Sequence, residues 1–158
     1  MEDFDFCELF ERGEVLRGVP GESCEQIYDY ICKTARLPEG LSAKGLKDEL
    51  LQREAVMTTA VGNGFAIPHP RRPLVEKLEE GKIIVAYLAE PLDMAAPDVK
   101  KVYAMFVLLS SSAERHIKSL TDLATLFKSD EFKKGLQEMP EKAQLLKLAR
   151  KVLAGEAV

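Results

Sequence analysis

Two nearly continuous apolar runs constrain the fold of this chain more than any other feature of its sequence. They cover residues 83–89 and 102–109, and both are short enough for a β-strand. An apolar run without polar alternation is typical of a strand that is covered on both faces. Both runs are far shorter than the ~20 apolar residues that cross a bilayer, so we expect no insertion into a membrane.

Helical periodicity divides much of the remaining chain into short helices. Ser23 and Ser42 are predicted N-caps of two helices whose apolar residues recur at helical spacing. After the second apolar run, Ser111 and Glu114 fit a capping box at the start of a further helix. The predicted buried stripe of that helix consists of Ile117, Leu120, Ala124 and Phe127.

Additional elements complete the predicted order along the chain. We expect helices over residues 4–13, 130–138 and 141–153, and short strands over residues 15–19, 58–61 and 65–67. No internal repeat, low-complexity tract or linker separates these elements. The sequence therefore predicts one α/β domain over residues 1–158.

Composition is that of an ordinary globular protein and gives no broad reason for nucleic-acid binding. The formal net charge is −4 and the pI is about 5.4. Cys7, Cys24 and Cys32 match neither a zinc site nor a redox pair, so a disulfide framework is not expected. The acidic N-terminal segment MEDFDF lacks the pattern of a secretory signal. These features together predict a reduced, cytoplasmic protein.

The segment GNGFAIPHP, residues 62–70, sets one histidine between two prolines. Proline locks its own φ and disfavours the helical region for the preceding residue, so Pro68 and Pro70 are expected to hold His69 in an extended backbone. A stiffly held imidazole suits nucleophilic or acid–base chemistry. The turn at the start of the segment is expected to be shaped by Gly62, Asn63 and Gly64.

His116 is the only other histidine, and it is predicted in the first turns of the helix after the second apolar run. That position lies near the carboxyl end of a central strand, where ligand sites gather in open α/β sheets. If His116 meets His69, one neutral imidazole can be a nucleophile while the other donates a hydrogen bond to a phosphoryl oxygen. The guanidinium of Arg53 and the hydroxyls of Thr58 and Thr59 are further candidate phosphate ligands.

Other assignments of these side chains stay open at this point. His69 can be a turn histidine, His116 a capping or surface residue, and Arg53 a solvated cation. Arg71 and Arg72 can attract phosphate or an acidic partner, or belong to a solvated loop. Two histidines without cysteine ligands nearby offer too few donors for a metal site, and a serine triad lacks an evident oxyanion hole.

The segment REAVMTTAVGNGFAIPH, residues 53–69, closely resembles the signature of the fructose/mannitol-type enzyme IIA domains of the bacterial phosphoenolpyruvate-dependent phosphotransferase system (PTS). The nitrogen-regulatory members are especially similar. The likeness extends through PLDMAAPD, the strand VYAMFVLLS and the helix that carries His116, and so covers most of the chain.

This resemblance implies an α/β fold with a small mixed sheet flanked by helices on both faces. It also implies that His69 accepts a phosphoryl group on Nε2 from the carrier protein HPr, in a pocket lined by His116 and Arg53. No cofactor is implied. Pro70 stands where the family usually has glycine, and it removes a backbone donor beside His69.

Three functional hypotheses follow from the sequence. In the first, the chain is a phosphoryl carrier that accepts a phosphoryl group from phospho-HPr or from its nitrogen-branch counterpart NPr. Its role is then regulatory or, alternatively, it passes the phosphoryl group to a separate IIB for sugar uptake. No IIB or IIC region is present in the sequence, which favours regulation. In the second, it is a regulatory binding module whose phosphorylation state, or mere presence, alters a partner such as a kinase or potassium transporter. The two hypotheses separate if Pro70 has abolished phosphorylation and left only docking. In the third, the two histidines are structural.

Overall fold

The computed structural model describes residues 5–156 and shows six α-helices and five β-strands within them. In chain order these are α1 (Cys7–Arg12), β1 (Val15–Val19), α2 (Cys24–Thr34), α3 (Ala43–Val56), β2 (Ala60–Gly62), β3 (Phe65–Ala66), β4 (Lys82–Leu92), β5 (Val102–Leu109), α4 (Ala113–Lys128), α5 (Asp130–Gln137) and α6 (Lys142–Glu156). One 3-10 turn, Leu78–Glu80, precedes β4. Phe4, where the first helix was predicted to begin, lies outside the described residues.

The strands form one mixed sheet in the order β1-β4-β5-β3-β2. The two long apolar strands, β4 and β5, pair antiparallel, whereas β1 runs parallel to β4 and β3 runs parallel to β5. The outer strand β2 pairs antiparallel with β3. The expectation of a small mixed sheet is confirmed, and β5 is its central strand.

Helices cover both faces of the sheet, which explains why β4 and β5 lack polar alternation. Side chains of β4 alternate between two separate cores: Ile83 and Val85 pack with residues of α1, α4, α5 and α6, whereas Ile84 and Ala86 pack with residues of α2 and α3. All four of these side chains are fully buried. Each buried Ile or Val side chain stabilises the fold by roughly 1.5–3 kcal/mol. A polar residue at these positions on either face of β4 would therefore lower the free energy of unfolding.

Two of the predicted helix starts are confirmed by their caps. The Ser23 hydroxyl accepts a hydrogen bond from the backbone N–H of Gln26, and the Ser42 hydroxyl accepts one from Gly45. These contacts satisfy backbone donors that the first helical turn leaves free.

The predicted start of α4 is wrong by one residue. The N-cap is Ser112, whose hydroxyl accepts from the N–H of Arg115 at 3.2 Å, so the capping box of Ser111 and Glu114 does not form. Each of the three consecutive serines has a hydroxyl that can cap a helix, so the displacement by one residue keeps the same capping chemistry.

The predicted buried stripe of α4 is also displaced. Ile117 is 65% exposed and Ala124 is exposed, while Leu120 is half-buried and Phe127 is buried as expected. The buried residues of this helix are Ser119, Leu123, Leu126 and Phe127. Turning this face inward packs Leu123, Leu126 and Phe127 into the core shared with α5 and α6, while Ile117 stays on the outer surface.

Two further observations bear on the expectations from composition. Within residues 5–156, no helix combines the length and the apolar character that spanning a membrane requires. All three cysteines carry free thiols, and those of Cys7 and Cys32 are buried.

Candidate functional site

The chain turns from β2 into β3 through three consecutive residues with positive φ, namely the last residue of β2 and the two that follow it. The φ angles are 97° at Gly62, 59° at Asn63 and 86° at Gly64. At Gly64 a side chain is excluded sterically as well, because a Cβ would lie 2.6 Å from Cδ1 of Tyr103. The backbone N–H of Asn63 donates to the carboxylate of Asp98 at 2.8 Å. Gly62, Asn63 and Gly64 therefore shape this turn as the sequence predicts.

The segment after β3 is attached to the sheet by backbone hydrogen bonds. Ile67 donates to the carbonyl of Thr59 at 3.0 Å, and Leu108 donates to the carbonyl of Pro68 at 2.9 Å. Because β3 runs parallel to β5, this segment leaves the sheet at the carboxyl end of β5, where His69 is placed. Ile67 and Pro68 are buried, whereas His69 is half-buried.

The structure brings the two histidines together. His116 lies in the first turns of α4, directly after β5, and the ring centroids of His69 and His116 are 5.0 Å apart with the planes inclined at 53°. The hypothesis of a phosphoryl site required that the two histidines meet, and their spacing in the sequence could not show whether they do.

The tautomer of His69 follows from its hydrogen bond. Nδ1 of His69 lies 2.7 Å from the carbonyl oxygen of Ile67, and a carbonyl can only accept, so Nδ1 carries a proton. In a neutral imidazole the other nitrogen, Nε2, then has a free lone pair. The loop thus leaves His69 with its nucleophilic nitrogen on Nε2.

Both imidazoles are held in the neutral form. Burial lowers the pKa of His69 below its ordinary value, Arg53 lowers it further, and the Ile67 carbonyl and Glu54 act in the opposite direction. Burial also lowers the pKa of His116, to about 4, with additional contributions from His69 and Arg53. At neutral pH the pair therefore offers an uncharged nucleophile beside an uncharged neighbour.

Ser110, at the end of β5, contacts the second histidine. Its hydroxyl lies 3.3 Å from Nδ1 of His116, and the residue is 5% exposed. The sequence suggested the serines at 110–112 only as caps or as members of a triad, so this contact was missed. The one available signal was that Ser110 directly follows a buried strand and precedes the predicted helix of His116.

Around the two rings lies an open cleft of about 350 Å³. Its lining consists of Arg53, Val56, Met57, His69, Pro70, Arg71 and His116. Val56 and Met57 are 69% and 67% exposed, and no carboxylate is part of the lining. Arg53 donates to the carbonyl of Met57 at 2.7 Å, which holds its side chain at the end of α3. A second cleft of similar volume, between residues 38–41 and 74–80, contains no histidine.

Thr59 does not line the cleft, although the sequence suggested it as a phosphate ligand. It is 4% exposed, and both of its donors are engaged by Glu54: the N–H at 2.6 Å and the hydroxyl at 2.8 Å. Glu54 also accepts a hydrogen bond of 2.6 Å from the hydroxyl of Tyr28. The phosphate-binding prediction for Thr59 therefore does not fit this geometry, and Thr59 instead fixes the chain between α3 and β2.

The two arginines after Pro70 differ in their surroundings. Arg72 forms an ion pair of 3.5 Å with Glu49, whereas Arg71 belongs to the lining of the cleft. Pro70 itself is buried. Among the residues that the structure describes, no group of three or more His, Cys, Asp or Glu side chains is arranged to hold a metal ion.

Comparison with known proteins adds an independent line of evidence. Over residues 8–152 the sequence matches the family described as phosphoenolpyruvate-dependent sugar phosphotransferase system, EIIA 2. A nitrogen regulatory protein of Bradyrhizobium diazoefficiens is 33% identical over 72% of this chain and 72% of its own length. A nitrogen regulatory protein of Pseudomonas aeruginosa is 28% identical over 94% of this chain and 97% of its own length.

A solved structure has the same fold. The crystal structure of the nitrogen regulatory protein IIA-Ntr of Neisseria meningitidis superimposes with a TM-score of 0.76, at 24% identity, over 90% of this chain and 97% of that one. The fold that the sequence implied is therefore found in a protein of known structure.

Proposed function

Because the chain belongs to the EIIA 2 family of the phosphoenolpyruvate-dependent sugar phosphotransferase system, a family of phosphoryl-transfer components, we propose that it is a phosphoryl carrier that is loaded on His69. The donor is a phosphocarrier protein of the HPr or NPr type. The observation that carries the proposal is the hydrogen bond from Nδ1 of His69 to Ile67, since it leaves Nε2 as a free nucleophile at an open cleft.

The transfer step needs no net movement of protons. The lone pair of Nε2 on His69 forms the new N–P bond, the bond between phosphorus and the donor breaks, and its electron pair returns to the donor. The proton on Nδ1 stays on the ring, shared with the Ile67 carbonyl. Phosphoryl transfer of this kind depends mainly on positioning and on neutralising negative charge.

His116 and Arg53 supply that positioning and charge in our proposal. If the Ser110 hydroxyl donates to Nδ1 of His116, the ring proton lies on Nε2, which can then donate to a phosphoryl oxygen. Arg53 keeps further N–H groups besides the one bonded to Met57, and a guanidinium fork suits phosphate oxygens. Thr59 and Glu54 support the site without touching the phosphoryl group.

A regulatory role is supported by the relatives, because two of them are named nitrogen regulatory proteins. The family description names a sugar system and so supports a second candidate, in which the chain passes its phosphoryl group to a separate IIB partner. The regulated partner in the first case is a kinase or transporter. The cytoplasmic location and the single domain over residues 1–158 stay predictions.

The test is a phosphorylation assay with phosphoenolpyruvate, enzyme I and either HPr or NPr. Intact mass should show one acid-labile phosphoryl group on the wild type, none on His69→Ala, and slowed labelling on His116→Ala. A wild type that takes no label from either donor of the same organism contradicts the carrier function. In that case labelling of Pro70→Gly would show that Pro70 is the block, leaving the wild type as a binding module.

A further inference from the structure

The loop after His69 contains two adjacent arginines, and among the described residues only one of them has a partner. Arg72 is paired with Glu49, at 3.5 Å. Arg71 is exposed and lines the histidine cleft, and it forms no hydrogen bond or ion pair with any residue between 5 and 156. A guanidinium without a partner at the edge of a cleft is available for an anionic group.

The charges of the cleft are unbalanced in favour of an anion. Its lining contains two guanidinium groups and no carboxylate, although the whole chain has a net charge of −4. Both imidazoles are neutral at pH 7, so Arg53 and Arg71 are the cations of this lining. A phosphoryl group on His69 would bring a charge of about −1.5 to −2, as phosphorylated side chains do at neutral pH. Arg53 alone therefore leaves much of that charge without a counterion.

The backbone around Arg71 is stiff. Pro70 before it is buried, and Pro73 follows two residues later and is half-buried. Because each proline has a fixed φ, the loop between them has few conformations to lose when the guanidinium binds. Arg71 is thus carried by a segment that is already positioned beside His69.

We propose that Arg71 is a second phosphate-binding residue of this site, whose guanidinium pairs, together with that of Arg53, with the phosphoryl group on His69. The proposal rests on the proposed function, since it names a ligand of the group that His69 would carry. It decides between the two assignments that the sequence left open for Arg71, a ligand of an anionic group and a residue of a solvated loop. The ligand chemistry is that of a phosphoryl dianion attached to an imidazole nitrogen.

The experiment compares Arg71→Gln with Arg72→Gln, since the two residues are adjacent, exposed and equally charged. Transfer from phosphorylated HPr or NPr is followed by intact mass across a range of donor concentrations. Arg71→Gln should lower the transfer rate at saturating donor by roughly 10- to 100-fold, as expected for the loss of a charge-assisted hydrogen bond. Arg72→Gln should stay within about twofold of the wild type, because an exposed ion pair contributes little.

A third variant, Arg71→Lys, separates charge from geometry. It keeps the positive charge without the planar fork, so it should recover part but not all of the rate that Arg71→Gln loses. Circular dichroism of all three variants should match that of the wild type, because Arg71 makes no described contact that stabilises the fold.

The outcomes separate this proposal from the function on which it rests. If the wild type takes no phosphoryl group, the carrier function fails and Arg71 has nothing to bind. If the wild type is labelled and Arg71→Gln behaves as Arg72→Gln does, only the role of Arg71 is wrong. If Arg71→Gln merely raises the donor concentration needed for half-maximal rate, Arg71 contacts the donor protein instead of the phosphoryl group, which also overturns the proposal.

Discussion

The hydroxyl of Ser110 lies 3.3 Å from Nδ1 of His116, at the point where β5 has ended and α4 has not yet begun. The contact connects the residue that directly follows the central strand β5 with the imidazole ring that lies beside His69. Among the described residues it is the only hydrogen-bond contact of the His116 ring, so we expect it to orient that imidazole.

Removing this contact should slow phosphoryl transfer more than it destabilises the protein. In Ser110→Ala the His116 ring loses its only described hydrogen bond, and we expect a roughly 3- to 10-fold slower transfer, equivalent to about 1 kcal/mol. The matched control is Ser119→Ala, another buried serine, whose hydroxyl donates to the carbonyl of Arg115 at 2.7 Å. Equal transfer rates for the two variants would show that Ser110 does not position His116.

The second prediction concerns the carboxylate of Glu54. It accepts three hydrogen bonds, from the hydroxyl of Tyr28 and from the N–H and hydroxyl of Thr59. A glutamine amide has an NH₂ group in place of one carboxylate oxygen, so at least one of these three groups would face a donor instead of an acceptor. We expect Glu54→Gln to lower the free energy of unfolding by about 1–3 kcal/mol in urea denaturation. Tyr28→Phe removes one bond and should cost less, about 1 kcal/mol. A Glu54→Gln variant as stable as Tyr28→Phe would mean that the Thr59 contacts carry no stability.

The third prediction separates backbone strain from steric overlap at the turn before β3. Gly64 has a φ of 86° and no room for a Cβ beside Tyr103, whereas Gly18 has a φ of 60° and open space around it. Gly18→Ala should therefore cost only the strain of the left-handed conformation, about 1–2 kcal/mol. Gly64→Ala should cost about 2–4 kcal/mol, because overlap adds to strain. Thermal and urea unfolding of both variants measures the difference between their losses of unfolding free energy. Equal losses would show that the ring of Tyr103 moves aside without cost.

The fourth prediction is a loss of stability in mild acid. The pKa of His116 is about 4 in the folded protein, against an ordinary value of 6.5 that applies to the unfolded chain. The unfolded state therefore binds the proton more readily, and the free energy of unfolding should fall as the pH is lowered from 6.5 toward 4, with no further effect of this group below that range. The lowered pKa of His69 acts in the same direction.

Comparison with His116→Asn isolates this effect. The variant lacks the titrating ring, so its unfolding free energy should depend less on pH across the same range, whatever its absolute stability. Parallel curves for the wild type and the variant would show that His116 titrates normally in the folded state.

Local features were predicted well because their causes lie within a few residues. The caps at Ser23 and Ser42 follow from a side chain and the backbone three residues ahead, and the turn at Gly64 follows from residue type. The start of α4 was less predictable, because Ser111 with Glu114 fits a capping box, yet the hydroxyl that caps the helix is that of Ser112, one residue later.

The site depended on relationships that no local pattern contains. That His69 meets His116 follows from the parallel pairing of β3 with β5, which joins segments far apart in the chain. The role of Thr59 also escaped the sequence, since a hydroxyl near a basic residue looks available until the position of Glu54 is known. His116 and Arg53 were candidates by residue type and position, family resemblance implied that they share a pocket with His69, and the structure added Glu54 and Ser110.

The hydrogen bond from Leu108 to Pro68 has a consequence for synthesis of the protein on the ribosome. The whole motif around His69 is synthesised before β5, so a nascent chain that has not yet reached residue 102 carries the recognisable residues without the strand that holds them. Histidine, proline and glycine are all present, yet there is no cleft and no second imidazole. A gene fragment that stops short of β5 would keep the signature and lack the site, because the cleft with both imidazoles forms only once the centre of the sheet has been made.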